Sequence, residues 1–199
     1  MQKQVNNTFE QELIANGYQN VFQTNTKENY ENIWKHDLNR GKLYNIISSK
    51  NSSLLGRFLA SEVVFMNDAE INEKYYEVIS ESYVYALEKT NMLDENFIGI
   101  NGNSWGFLYE EEAIGVLGKR LIKFGNKAIP HLTELLVIEG KVLYIGSGDA
   151  LIGNRYQYRI KDFAAFYISK IKDIPMTFYQ NFEKRDAEIE RLKELLENE

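Results

Sequence analysis

The chain has 199 residues, 44% hydrophobic and 26% charged, which suits a globular protein with a core of useful size. A net charge of -6 and a pI near 5.2 argue against nucleic acid or an anionic lipid surface as the main partner. Without cysteine there is no disulfide, catalytic thiol or thiolate metal site, and with two prolines long helices are favoured.

The first fifty residues are the least regular and read as an N-terminal extension with short helices, one over Phe9 to Asn16 closed by Gly17 and one over Thr26 to Asp37. Asn45 to Ser53 reads as a helix end and a linker. From residue 51 to 199 the pattern is that of a helical-hairpin domain, in one compact domain overall. Ser52 or Ser53 caps a helix through Met66, with Leu55, Phe58, Leu59, Val63 and Met66 on its inner face. Asn67 and Glu70 are spaced as a capping box for the next helix, running to about Asn91. Met92 to Trp105 breaks the pattern, and Phe97 to Gly106, rich in glycine and asparagine, reads as a loop or a short hairpin.

Helical periodicity resumes at Tyr109 and runs to Phe124 through Ala113, Val116, Leu117 and Leu121. Gly125 closes that helix, and Pro130 fits the first turn of the next, from about Lys127 to Val137. Gly140 to Arg155 is a second irregular segment. Ile160 to Ile171 is strongly amphipathic and ends at Asp173-Ile-Pro175. Met176 to Phe182 is an aromatic connector, and Asp186 to Glu197 is the last helix.

One phrase occurs twice. Ile129, Leu132, Leu135 and Leu136 recur as Ile189, Leu192, Leu195 and Leu196, each set at i, i+3, i+6 and i+7 on one helix face. Tyr109 to Val137, with Phe124-Gly-Asn-Lys-Ala-Ile-Pro130 between two helices, resembles a HEAT-type repeat. A weaker copy is Arg159-Ile-Lys-Asp-Phe-Ala-Ala165 followed by Ile189 to Leu196. The resemblance covers about residues 109 to 197 and implies an all-α fold, an irregular stack of antiparallel helical hairpins with at most one small β-hairpin in its loops. It implies a binding surface and no chemistry.

Lys141 to Gly153 brings an apolar run into Gly146-Ser-Gly148, as in a dinucleotide turn. Leu151 stands where the third glycine belongs, and too little chain follows for further parallel strands, so no cofactor is expected. His36 and His131 are not spaced as a metal pair. Glu110, Glu111 and Glu112 suit the first turn of a helix and fan around it rather than converge. No Gly-x-Ser-x-Gly marks a nucleophile, so neither catalytic nor metal-binding residues are assigned.

The aromatic residues beside the two glycine-rich loops remain. Trp105, Tyr109, Tyr144, Tyr156 and Tyr158, with Asp149 and Arg155, are the candidate partner-binding residues, because Tyr, Trp and Arg carry most interface energy. Arg159, Lys161 and Asp162 are read as part of a polar rim, with Arg159 and Asp162 alternatively bridging neighbouring repeats or capping a helix. The leading expectation is a non-enzymatic protein-binding module, in concrete form an acidic bacterial inhibitor of the immunity type with a neutral or basic protein partner. An adaptor or homo-oligomeric assembly protein is the alternative. A hydrolase or carbohydrate-active protein using loop tyrosines and carboxylates is a third. The expected compartment is the cytoplasm, or the periplasm if a leader has been removed.

Overall fold

The computed structural model describes residues 2–90, 95–110, 113–146 and 148–198, apart from the side chains of 2–7 and 149. The fold is all-α. Its contacts divide the chain into two compact units, Met1–Ile100 and Asn101–Glu199. No helix among the described residues is long and apolar enough to cross a membrane.

The first unit contains α1 (Gln2–Phe22), α2 (Tyr30–Lys35), α3 (Asp37–Ser48), α4 (Leu54–Met66) and α5 (Tyr76–Lys89). Gly17, with its non-helical backbone at φ 65° and ψ 175°, divides α1 into two helices, so the first closes at Gly17 as expected but begins earlier, at Gln2. Leu13, Val21, Leu43, Ile46 and Ile47 are buried, so residues 1–50 supply core to this unit rather than an appendage to the next. The Ser53 hydroxyl caps α4 by accepting from the Gly56 amide at 3.0 Å, and the Glu10 carboxylate receives both the Ser53 amide and hydroxyl. Asn67 does not open α5. Its side chain bonds back to the Val63 carbonyl at the end of α4, and a turn capped by Asn72 leads into α5.

The second unit contains α6 (Gly102–Trp105), α7 (Val116–Lys123), α8 (Ile129–Glu134), α9 (Gly148–Tyr156), α10 (Ile160–Lys172) and α11 (Phe182–Glu197). Its central helix is α10, whose first ten residues are all buried and which packs against α7, α8 and α11. The Asp162 carboxylate accepts the Arg159 amide at 2.8 Å to start α10, and Asp173 closes it in the left-handed conformation. Gly125 has φ 58° after α7, and Pro130 sits in the first turn of α8, as their positions in the sequence suggest. Of the repeated phrase, Leu132, Leu136, Ile189 and Leu192 are buried, while Ile129 and Leu196 are half-buried.

Two segments depart from the sequence reading. Tyr109, Glu110 and the stretch from Ala113 to Gly115 are not helical. The Phe107 amide bonds to the Ala113 carbonyl and the Gly115 amide to the Trp105 carbonyl, so the chain folds back before α7 begins. Glu110 is an exposed bend residue, and Glu111 and Glu112 lie outside the described residues. Gly140 to Arg155 is less irregular than its glycines suggest, because α9 occupies its second half. A Cβ at Gly153 or at Gly102 would stand 2.6 Å from the Tyr144 ring, so these glycines admit an aromatic side chain between two backbones. The described parts of the loops hold no β-hairpin. Among the described residues the β-pairing consists of two isolated bridges, Gly106 with Ile114 and Lys141 with Arg159.

Candidate functional site

The seven residues singled out from the sequence separate by burial. Trp105 (0% exposed), Tyr144 (3%) and Tyr158 (0%) are core residues and present no surface to a partner. Each is held by a specific contact. The Tyr167 hydroxyl donates to the Trp105 carbonyl at 2.7 Å, and the Tyr144 hydroxyl donates to the Gly106 carbonyl at 2.7 Å. Burial pushes the Tyr144 and Tyr158 hydroxyls far above the ordinary tyrosine range, so both stay neutral. Glycine-rich loops read as exposed because glycine marks turns; here glycine makes room for rings.

Tyr109 and Tyr156 are half-buried and stacked, with centroids 5.3 Å apart and planes 22° apart. Arg155 is exposed beside them at the end of α9. Asp149 lies in α9, and its side chain is outside the described residues. The stacked pair lines a cleft of about 510 Å³ that also takes Phe166 and Lys170 from α10, Asp173 at its end and the connector from Ile174 to Gln180. The connector was legible as an aromatic stretch, yet its place opposite the two tyrosines depends on the turn at Asp173, which sequence spacing does not set.

Beneath Tyr156 the stacking continues inward. Tyr156 lies on Tyr158 at 5.1 Å, the Arg185 guanidinium covers Tyr158 at 4.9 Å, and Phe182 lies 4.8 Å from Arg185 and 5.0 Å from Arg159. Arg185 also donates to the Tyr156 carbonyl at 2.9 Å, which ties the cleft wall to α11. Below it is a network of three cations and three carboxylates. Arg159 bonds Asp162 at 2.9 Å, Asp186 at 2.6 Å and Glu139 at 3.1 Å. Lys161 bonds Glu139 and reaches Asp186 at 3.0 Å, and Arg185 pairs with Asp162 at 3.5 Å. Arg159 and Asp162 are thus buried links between helices and not a rim. Glu139, Arg185 and Asp186 were not distinguished in the sequence, where each resembles an ordinary surface charge.

The network is structural by its chemistry. Every carboxylate in it faces a cation, so its charges tie helices to one another. The hydrogen bond from Lys161 holds the Glu139 carboxyl below its ordinary range against slight burial. Burial alone would raise Asp186, but hydrogen bonds from Arg159 and Lys161 outweigh it and lower it. A carboxyl lowered by folding stabilises fully above its unfolded value and loses that contribution as pH falls through the folded one. The urea midpoint of the second unit is therefore expected to be flat from pH ~7 to ~5 and to drop below pH ~4, where free carboxyls titrate. In the Glu139→Gln, Asp186→Asn double variant that acid slope should be shallower, read by tryptophan fluorescence.

Among the described residues lining the cleft, Asp173 is the one carboxylate, and it is exposed. The pair of buried carboxylates that a glycoside hydrolase needs is not found there. His36 is exposed, His131 is half-buried, and no three His, Asp or Glu side chains among the described residues converge on a metal position. What the arrangement offers is an aromatic-walled cleft on a rigid base. No family model, curated protein or solved structure matches this chain.

Proposed function

We propose that the chain is a non-enzymatic protein-binding module, and that the cleft of its second unit receives a projecting segment of a protein partner. The observation that carries this is the stacked, half-exposed Tyr109–Tyr156 pair. It presents aromatic surface on a support already ordered by Tyr158, Arg185 and the buried ion network, so little side-chain entropy remains to be lost on binding. The net charge of -6 favours a basic partner, through faster encounter more than through final affinity. The concrete form of this reading is an acidic inhibitor of the immunity type, which covers the working surface of a toxin and needs no chemistry of its own.

The test begins with co-purification from the native host and mass spectrometry, followed by titration of the partner so identified. Tyr109→Ala and Tyr156→Ala should each cost ~2 kcal/mol, about 30-fold in Kd, with thermal stability nearly unchanged. If both variants capture the partner as tightly as the wild type, the cleft is not the site.

A further inference from the structure

One wall of the cleft is backbone rather than side chain. The connector lines it from Ile174 to Gln180, and from Ile174 to Tyr179 it runs without helix, turn or bend. Exposure alternates along it. Ile174 and Met176 are half-buried and Phe178 is buried, while Pro175, Thr177 and Tyr179 are exposed. A period of two is that of a strand. This strand has no neighbour: among the described residues, no hydrogen bond reaches the amides of Met176, Thr177, Phe178, Tyr179 or Gln180, or the carbonyls of Met176, Thr177 and Tyr179.

The segment is nevertheless held in place. The Ile174 amide donates to the Ser169 carbonyl at 2.9 Å, and Arg191 donates to the Pro175 carbonyl at 2.6 Å. The Phe178 ring packs edge-on to Phe166 with centroids 5.5 Å apart, and its carbonyl accepts from the Tyr158 hydroxyl at 3.5 Å. A fixed, extended backbone with open donors and acceptors is the template that strand addition uses, and its prior order lowers the entropy lost on binding. Resting on the reading of the cleft as the binding site, we propose that its occupant is an extended segment of the protein partner. That segment pairs backbone to backbone with residues 176–180 as an added strand and lays alternate side chains beside Tyr109 and Tyr156.

Random peptides of ~10 residues, long enough for a strand, displayed on phage and selected on the full chain, provide a probe that does not require the native partner. A selected peptide should slow hydrogen exchange by ~10-fold or more at alternate amides among residues 176–180, read residue by residue by NMR. N-methylating the peptide at every second residue should weaken binding by ~10-fold or more in one register and leave it unchanged in the other, since one edge of a strand faces the connector. Strand pairing is overturned if selection yields no peptide, if these amides are unaffected or slow at consecutive positions, or if both methylation registers act alike. Should the native partner be lost on Tyr109→Ala and Tyr156→Ala while peptides show none of this behaviour, the cleft stays the site and strand pairing alone is discarded.

Discussion

Replacing Asp162 with alanine is expected to lower the stability of the second unit by about 3–5 kcal/mol, the cost of breaking a buried ion pair from one side. Asp162 is fully buried and has four contacts with two arginines, three hydrogen bonds from Arg159 and one ion pair with Arg185. These are the Arg159 amide at 2.8 Å, its Nε at 3.1 Å, its Nη2 at 2.9 Å, and the Arg185 Nε at 3.5 Å. Arg159 would keep Glu139 and Asp186 after the substitution. Arg185 would not fare as well, being 1% exposed, with neither its Nε nor its Nη2 hydrogen-bonded among the described residues. Its guanidinium is already below its ordinary value because burial outweighs the attraction of Asp162. Without that carboxylate the charge is stranded between two rings. The same change removes the acceptor that starts α10, so the central helix loses its first-turn anchor. Each unit contains one tryptophan, Trp34 or Trp105, and urea unfolding followed by the emission of a Trp34→Phe background isolates the second unit. Asp162→Asn should fall between wild type and alanine, since it keeps the shape and one acceptor but not the charge. A loss below ~1 kcal/mol for alanine would mean that water or another carboxylate reaches Arg185.

Much of the fold follows local rules that are visible in the chain. The helices α4 and α10 have apolar stripes at helical spacing and strong end signals, Ser53 and the Asp173-Ile-Pro175 stop. Helix α11 has the stripe but begins at Phe182, capped by Asn181, four residues before the sequence reading placed it. Gly125 and Pro130 punctuate α7 and α8 for equally local reasons. Where the reading diverges, a distant part of the chain decides. Ala113, Val116, Leu117 and Leu121 have helical spacing, yet the helix starts only at Val116 because the preceding backbone pairs with Trp105 and Phe107. Gly153 looks like a loop residue until Tyr144 is placed against it. The candidate site was half legible for the same reason. Tyrosines at 109, 144, 156 and 158 are equivalent in composition, and only packing separates the stacked pair at the cleft from the two buried beneath it. The charges of Arg159, Lys161 and Asp162 were visible, but their partners Glu139, Arg185 and Asp186 lie up to 27 residues away.

Trp105→Ala gives the clearest contrast between a ring that holds the fold and one that meets a partner. Trp105 is wholly buried at the end of α6, packed edge-on to Tyr167 with centroids 6.3 Å apart. Its carbonyl accepts both the Tyr167 hydroxyl and the Gly115 amide, the latter at 2.8 Å. A Cβ at Gly118 would lie 2.5 Å from that carbonyl, so α7 is pressed closely onto this backbone. Removing the indole opens a cavity among elements that have little freedom to collapse into it. The expected cost is ~3–5 kcal/mol, which for a unit of about 100 residues corresponds to a fall in Tm of roughly 12–40 °C. Tyr156→Ala, at a half-exposed position on the cleft wall, should lower Tm by far less and weaken partner capture far more. Differential scanning calorimetry and titration of the same two variants decide between the roles. If Trp105→Ala melts like the wild type while failing to capture the partner, then Trp105 is a contact residue after all. The binding surface would then lie at the glycine-rich loop around it and not at the Tyr109–Tyr156 cleft.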